Sequence, residues 1–272
     1  MPDRNMPPDM DPAIVADVDA RLEAITREHD VTIAFAIESG SRAWGFPSPD
    51  SDYDCRFVYI RPQRDYLALF RRRDVIETPL TPFLDVNGWD LGKALKLLLK
   101  GNAVIIEWLT SPITYQATEG FRAAMLALAM DIADRRLIAQ HYLRLARRTR
   151  MLWLSDPNHA ALKKMFYVLR PALALRWLRL HPDANVAPMH FPTLCAQSQL
   201  DGDVAFEIDQ LLAIKALTRE MGTGAVPMPL QELIAAELDP AECMERTEIA
   251  THRAAVLKAE AFFFEMIRKH AT

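Results

Sequence analysis

Residues 38–60 read ESGSRAWGFPSPDSDYDCRFVYI, and this stretch decides the fold. The run that leads into it, VTIAFAIE at 31–38, is short, apolar and free of breakers, which predicts a strand. Residues 39–51 hold four Ser, two Gly and two Pro, a loop composition. A second strand is predicted over 52–60, opening on Asp52-x-Asp54. Side chains two apart on a strand project from one face, so both carboxylates can reach one point in space. Carboxylates that close repel each other unless a cation lies between them, and magnesium favours such oxygen ligands. Magnesium completes its shell with water and substrate phosphate, and two ions about 3.5–4 Å apart can hold the attacking and leaving oxygens of a phosphoryl displacement. Gly40 lets the backbone come close to a triphosphate, Ser41 can offer its hydroxyl beside backbone N–H groups, and Arg42 can add a charged contact. Asp-x-Asp alone is common turn chemistry. Gly40-Ser41 closing one apolar strand, with Asp52 and Asp54 opening the next, is far more specific.

Upstream, Asp11-Pro12 reads as a cap and first helical residue, and Ile14, Val15, Val18, Leu22 and Ile25 share one face of a helix to about His29. Downstream, a short helix is expected near Asp65–Phe70, then strands over 74–78 and 80–86 marked off by Pro79 and Pro82. DLGKALKLLLKG is a helix from an Asp90 cap to Gly101, and another helix over about 103–109 leads to Pro112. From 119 onward strand signals nearly vanish. Long apolar periodicity covers 119–154, 159–180, 204–220 and 241–270, and Pro171 should kink or divide the second of these. The expected organisation is an α/β catalytic domain over 1–118, with 1–10 a flexible lead-in, and an all-helical domain over 119–272.

The chain has 272 residues, half hydrophobic and a quarter charged, a globular composition with no apolar run long enough to span a membrane. The acidic, proline-rich start lacks the apolar core of a signal peptide. Cys55, Cys195 and Cys243 are too widely spaced for a disulfide framework or a structural zinc site, and cytoplasmic residence is expected. Charge is unevenly spread: 13 Lys and Arg against 18 Asp and Glu in 1–118, 12 against 4 in 119–182, and 7 against 14 in 183–272. The basic middle either meets an anionic ligand or neutralises the acidic segments around it. Within it, Arg136, Arg144 and Arg148 recur at multiples of four with Arg147 alongside, and Lys163-Lys164 follow. These residues could neutralise a triphosphate, follow an RNA backbone, or form a solvated face. Trp44 could stack on a base or simply pack beside the sheet.

The pattern G-S-x(10)-D-x-D between two strands resembles the signature of the DNA polymerase beta nucleotidyltransferase superfamily. The fuller text, ESGSRAWGFPSPDSDYDCRFVYI with NGWDLGKALKLLLKGN, EWLTSPITY and KKMFYVLRPALALRW, is similar to the RNA-repair-pathway polymerase-beta family, RlaP. The resemblance implies an NTP substrate, two magnesium ions with manganese as a substitute, and a helical domain beside the catalytic sheet. RNA ends as acceptor follow only from the family's name. Sites of this type carry a third carboxylate, for which Asp85 in FLDVN and Asp90 after Trp89 compete. Asp85 is expected to join Asp52 and Asp54 as a metal ligand, and Asp90 to cap a helix. Two other readings remain open: nucleotidylation of a protein or small molecule by the same site, and a nucleotide-binding protein without catalysis.

Overall fold

An acid, a proline and a row of aliphatic side chains start the first helix. In the computed structural model, which describes residues 4–154, 156–219, 221–242 and 253–270, α1 spans Pro12–His29. The Asp11 side chain accepts from the Ala13 N–H, and Val18, Leu22 and Ile25 form the buried stripe. There follow β1 (Thr32–Glu38), α2 (Gly40–Trp44), β2 (Tyr53–Ile60), α3 (Gln63–Tyr66) and β3 (Val75–Glu77). Next come β4 (Leu84–Asp90), α4 (Leu91–Leu99), α5 (Ala103–Thr110) and β5 (Thr114–Ala117).

Several boundaries differ from the sequence expectation. One helical turn, α2, interrupts the loop expected over 39–51. The helix expected near 65–70 is a single turn at Gln63–Tyr66, which leaves Leu67, Leu69 and Phe70 exposed. The strand expected over 80–86 is β4, shifted toward the C-terminus. Pro79 and Pro82 cannot donate to a ladder, whereas Asn87, Gly88, Trp89 and Asp90 all pair with β2. β5 was not anticipated; its four residues pair antiparallel with β1.

The five strands form one mixed sheet in the order β3-β4-β2-β1-β5. β2 and β4 run parallel, in register from Tyr53↔Leu84 to Tyr59↔Asp90, and the other pairs are antiparallel. The fold is therefore mixed α/β.

The remaining elements are α6 (Phe121–Ile132), α7 (Arg135–Trp153), β6 (Ala160–Ala161), α8 (Leu162–Leu180), α9 (Phe191–Ala196), α10 (Gly202–Leu217), β7 (Thr223–Gly224), α11 (Met228–Glu242) and α12 (Arg253–His270). The stretch expected as one helical run over 119–154 breaks at Ala133, and Asp134 caps α7 through the Arg136 and Leu137 N–H groups. Pro171 does not divide α8, which runs unbroken from Leu162 to Leu180. A proline inside a helix costs about 3 kcal/mol. Burial of Phe166, Leu169, Leu173 and Trp177 on the same helix outweighs that. Part of the expected 241–270 helix, and Cys243, lie outside the described residues. Cys55 and Cys195 are free thiols. Among the described residues no helix is long and apolar enough to cross a membrane.

Two apolar clusters sandwich the sheet. On one face α1 packs on Ala36, Cys55, Phe57, Tyr59 and Val86. On the other, Phe35, Ile37 and Val58 join Leu91, Trp108, Met125, Phe166 and Leu173, so a continuous core links the sheet to the helices. α12 returns to the first half of the chain: Phe262 packs on Phe121, Phe263 on Tyr66, and the Thr32 hydroxyl donates to the His270 carbonyl at 3.1 Å.

Candidate active site

The site grows from the end of β1 and the start of β2. Gly40 has φ +63°, a left-handed conformation that favours glycine, and a Cβ built there would lie 2.1 Å from Asp54 Oδ2. The backbone of α2 is thus laid directly over one of the two aspartates. The loop that follows is tied to itself. Ser41 Oγ donates to Ser51 Oγ at 2.9 Å, and the Ser48 N–H donates to the same atom at 2.8 Å. Arg42 donates to the Ser51 and Asp52 carbonyls at 2.7 and 3.3 Å and stacks over the Tyr53 ring at 3.9 Å. Arg42 therefore shapes the loop from within.

Asp52 is exposed and immediately precedes β2, while Asp54 lies on it, half-buried. Asp54 and Asp85 are register partners on adjacent parallel strands. The Arg56 guanidinium bridges them, donating at 3.0 Å to Asp54 Oδ1 and 2.8 Å to Asp85 Oδ2. Burial pushes the Asp54 carboxyl above the usual range; Arg56 opposes this, and the charges of Asp85 and Asp52 add to it. Asp90 is not brought to this group. It lies five rungs further along β4, on the other side of the pleat, where Oδ1 accepts from the Gly92 N–H and Oδ2 from the Tyr66 hydroxyl.

Among the described residues no group of three or more His, Cys, Asp or Glu side chains is placed to hold a metal ion, so Asp52, Asp54 and Asp85 do not form the three-carboxylate metal set expected from the sequence. Magnesium is commonly held by one or two carboxylates, with waters and phosphates completing its shell, so the open Asp52–Asp54 pair suits it. The Gly40 cradle and the guanidinium already drawn to Asp54 and Asp85 fit a place that attracts positive charge.

Behind the pair sits an acid that the loop reading passed over. Glu38, at the end of β1, is fully buried. Its Oε1 accepts from the Asp54 N–H at 2.9 Å and its Oε2 from the Tyr115 hydroxyl at 2.6 Å. Burial pushes its carboxyl up to about 8, against those two hydrogen bonds. Glu38 and Tyr115 thereby clamp the backbone that carries Asp54.

The opposite wall is α8. Lys163 donates to both Asp50 oxygens, at 3.3 and 3.1 Å, and so reaches the loop. Lys164 lies 5.2 Å over the Tyr167 ring. Burial raises the Tyr167 hydroxyl, and the negative charges of Asp54 and Asp52 raise it further. One turn on, Arg170 stacks 4.2 Å over Trp44 and pairs with both Glu107 oxygens at 2.7 Å, and Tyr142 donates to Glu107 as well. Trp44 packs on Phe46 and Tyr167, and its indole N–H is buried without a partner among the described residues. Lys163, Lys164, Tyr167 and Arg170 follow helical spacing, a signal available in KKMFYVLR. Arg56 had a signal too, as the next same-face residue after Asp54. Arg147 and Arg148 lie on α7, half-buried and exposed, on a helix packed against α8.

The model of the RNA repair pathway DNA polymerase beta family, RlaP, matches residues 14–265. An uncharacterized protein of Bacillus subtilis (strain 168), YcgL, is 36% identical over 218 residues, covering 80% of this chain and 83% of that one. A crystal structure of a nucleotidyltransferase-like protein from Exiguobacterium sibiricum is similar over 94% of this chain and 81% of its own, with 14% identity and a TM-score of 0.28.

Proposed function

Because this chain belongs to the RNA repair pathway DNA polymerase beta family, we propose that it is a divalent-metal-dependent nucleotidyltransferase acting on RNA ends. The family itself points to a nucleotidyltransferase-like function in RNA repair. One observation carries the finer reading: Gly40 tucked over Asp54, which shares a rung with Asp85. Backbone, carboxylates and loop hydroxyls then meet where a triphosphate needs them.

In this reading Asp52 and Asp54 would hold magnesium, which would neutralise phosphate charge and activate the oxygens of the displacement. A hydroxyl of the acceptor forms a bond to the α-phosphorus, and the bond to the β-phosphate oxygen breaks, releasing pyrophosphate. Asp85, the carboxylate beside Asp54, takes the hydroxyl proton in place of the metal-ligand role expected from the sequence. Arg56 keeps Asp85 turned toward the site. Gly40 and Ser41 line the triphosphate, and Lys163 exchanges its Asp50 partner for a phosphate oxygen. Glu38 and Tyr115 hold the Asp54 backbone rigid, which preserves alignment during transfer.

Incubation of the purified protein with each α-labelled NTP, magnesium and RNA bearing a free 3′ hydroxyl tests this. Labelled RNA should form with the wild type and fall by at least about a hundredfold in Asp54→Asn. Equal labelling by that variant would remove the metal-site assignment. Labelling of a protein or small-molecule acceptor in place of RNA would overturn the acceptor.

A further inference from the structure

At the far end of the same strands lies a second groove of about 670 Å³, between α4, α12 and the segment joining α3 to β3. Its floor is apolar and aromatic, with Tyr66 and Phe263 in edge contact at 5.2 Å and Leu95 and Leu99 beside them. Its rim carries more cations than anions: Arg61, Arg71, Arg72, Arg73, Lys93 and Lys96 against Asp65, Asp74, Asp90 and Glu260. The joining segment reads Leu67-Ala-Leu-Phe-Arg-Arg-Arg73, and every residue of it is exposed. Leu69 is 89% and Phe70 84% accessible, standing just outside the groove, and Phe264 on α12 lines the groove itself at 67%. Three large apolar side chains followed by three arginines are costly to leave in water without a use.

The charges there are available. Arg71 and Lys96 have no ion-pair partner among the described residues. Arg72 pairs with the nearly buried Asp65 at 3.1 Å, Arg73 with Glu77, and Lys93 with Asp74 at 3.0 Å; the Arg72 and Arg73 guanidinium groups are themselves exposed, and the exposed Arg73–Glu77 pair contributes little and exchanges easily. Guanidinium groups beside exposed aromatic rings are the combination that holds a single strand, the cations on phosphates and the rings on bases. Place matters as well. The Asp54–Asp85 rung and the Tyr59–Asp90 rung are five residues apart, about 17 Å at the usual rise of a strand. At about 3.4 Å per stacked nucleotide, that separation is some five nucleotides.

We propose that this groove and the Leu67–Arg73 segment form a binding site for single-stranded RNA, engaging the acceptor strand several nucleotides from the end being modified. The proposal rests on RNA as the acceptor class and goes beyond it in assigning a second surface. Binding is read without turnover, so an inactive enzyme does not obscure the answer.

The test is fluorescence anisotropy of a labelled ten-nucleotide RNA titrated with full-length protein at several salt concentrations. Arg71→Gln/Arg72→Gln/Arg73→Gln should weaken binding about tenfold or more. Its plot of log affinity against log salt should be less steep by about 2, at about 0.7 per lost phosphate contact. Phe70→Ala should weaken binding with the slope unchanged, as a stacking residue does. All four positions are exposed, so the variants should keep the wild-type melting temperature and the wild-type affinity for ATP. A triple variant with wild-type affinity and slope overturns the proposal, as does a wild type that binds no RNA. Intact RNA binding with altered sedimentation would assign the face to a second copy of the chain and overturn it equally.

Discussion

Asp54 and Asp90 are both acids that burial holds above the usual carboxylate range, yet their partners differ. Asp54 faces Arg56, Asp85 and the Gly40 backbone, whereas Asp90 faces a helix N–H and a phenol. Asp90→Ala should therefore cost stability, toward the upper end of the roughly 0.5–2 kcal/mol of a lost cap, and spare turnover. Asp85→Asn should leave the melt unchanged and remove most turnover. Denaturant melts paired with transfer assays decide this, and a stable, inactive Asp90→Ala would reverse the two roles. That Asp52 and Asp54 stand two apart at the opening of β2 was legible from spacing alone. The Asp90 cap expected from the sequence is present, whereas the rung that Asp85 shares with Asp54 is visible only in the strand register, because the sequence does not show where β4 ends. Lys215 carries a separate signature. Its ammonium is buried, donates to the Phe46 carbonyl at 2.7 Å, and is pushed from its ordinary 10.5 down to about 8 by burial, with Lys163 adding to the effect. Between those values the unfolded chain keeps the proton and the native one has lost it, so stability rises with pH across that window. Below pH 8 the burial penalty is fully present. Lys215→Met should abolish this rise, which chemical denaturation across the window measures directly.

At the level of elements, α5, α7 and α8 converge on one buried ion pair, and that pair holds α2. Glu107 accepts from Arg170 and Tyr142, and Arg170 covers Trp44. Glu107→Gln would leave a guanidinium buried without its counter-charge, a loss of about 3–5 kcal/mol. Glu107→Gln/Arg170→Met should recover most of that stability while transfer stays impaired, because the loop has lost the lid over its tryptophan. Full recovery of transfer in the double variant would separate Arg170 from the loop. Element types were readable wherever periodicity ran long, as in α1, β1, β2 and α4. Boundaries failed where tertiary pairing decided them. β4 extends through Asn87 and Gly88, poor strand formers, because β2 offers a complete ladder. α8 passes through Pro171 because both faces around it are buried. Arg170 and Glu107 are 63 residues apart, and neither has a local pattern that names the other.

For the whole molecule, the last helix belongs to the first half. α12 buries Ala259, Met266 and Ile267 and reaches α4, α6 and the start of β1. Ending the chain before Arg253 should cost more than about 3 kcal/mol, since a fully buried Met or Ile contributes about 1.5–3 kcal/mol each. It should also expose apolar surface that binds a hydrophobic dye; an unchanged melt would show that α12 is dispensable. Charge segregation left open whether the basic middle meets an anionic ligand or its acidic neighbours, and Lys163–Asp50, Arg176–Glu237 and Arg179–Glu237 are contacts of the second kind. Finally, parallel pairing places Asp54 and Asp85 on one rung, although 29 residues separate Arg56 from its Asp85 partner. A slip of one residue between β2 and β4 would turn Asp85 through the sheet to the face covered by α1. On the proposed reading, a chain that has collapsed without setting that register would be chemically silent, so transfer would be open only to molecules that have finished folding, and the site would check the fold that builds it.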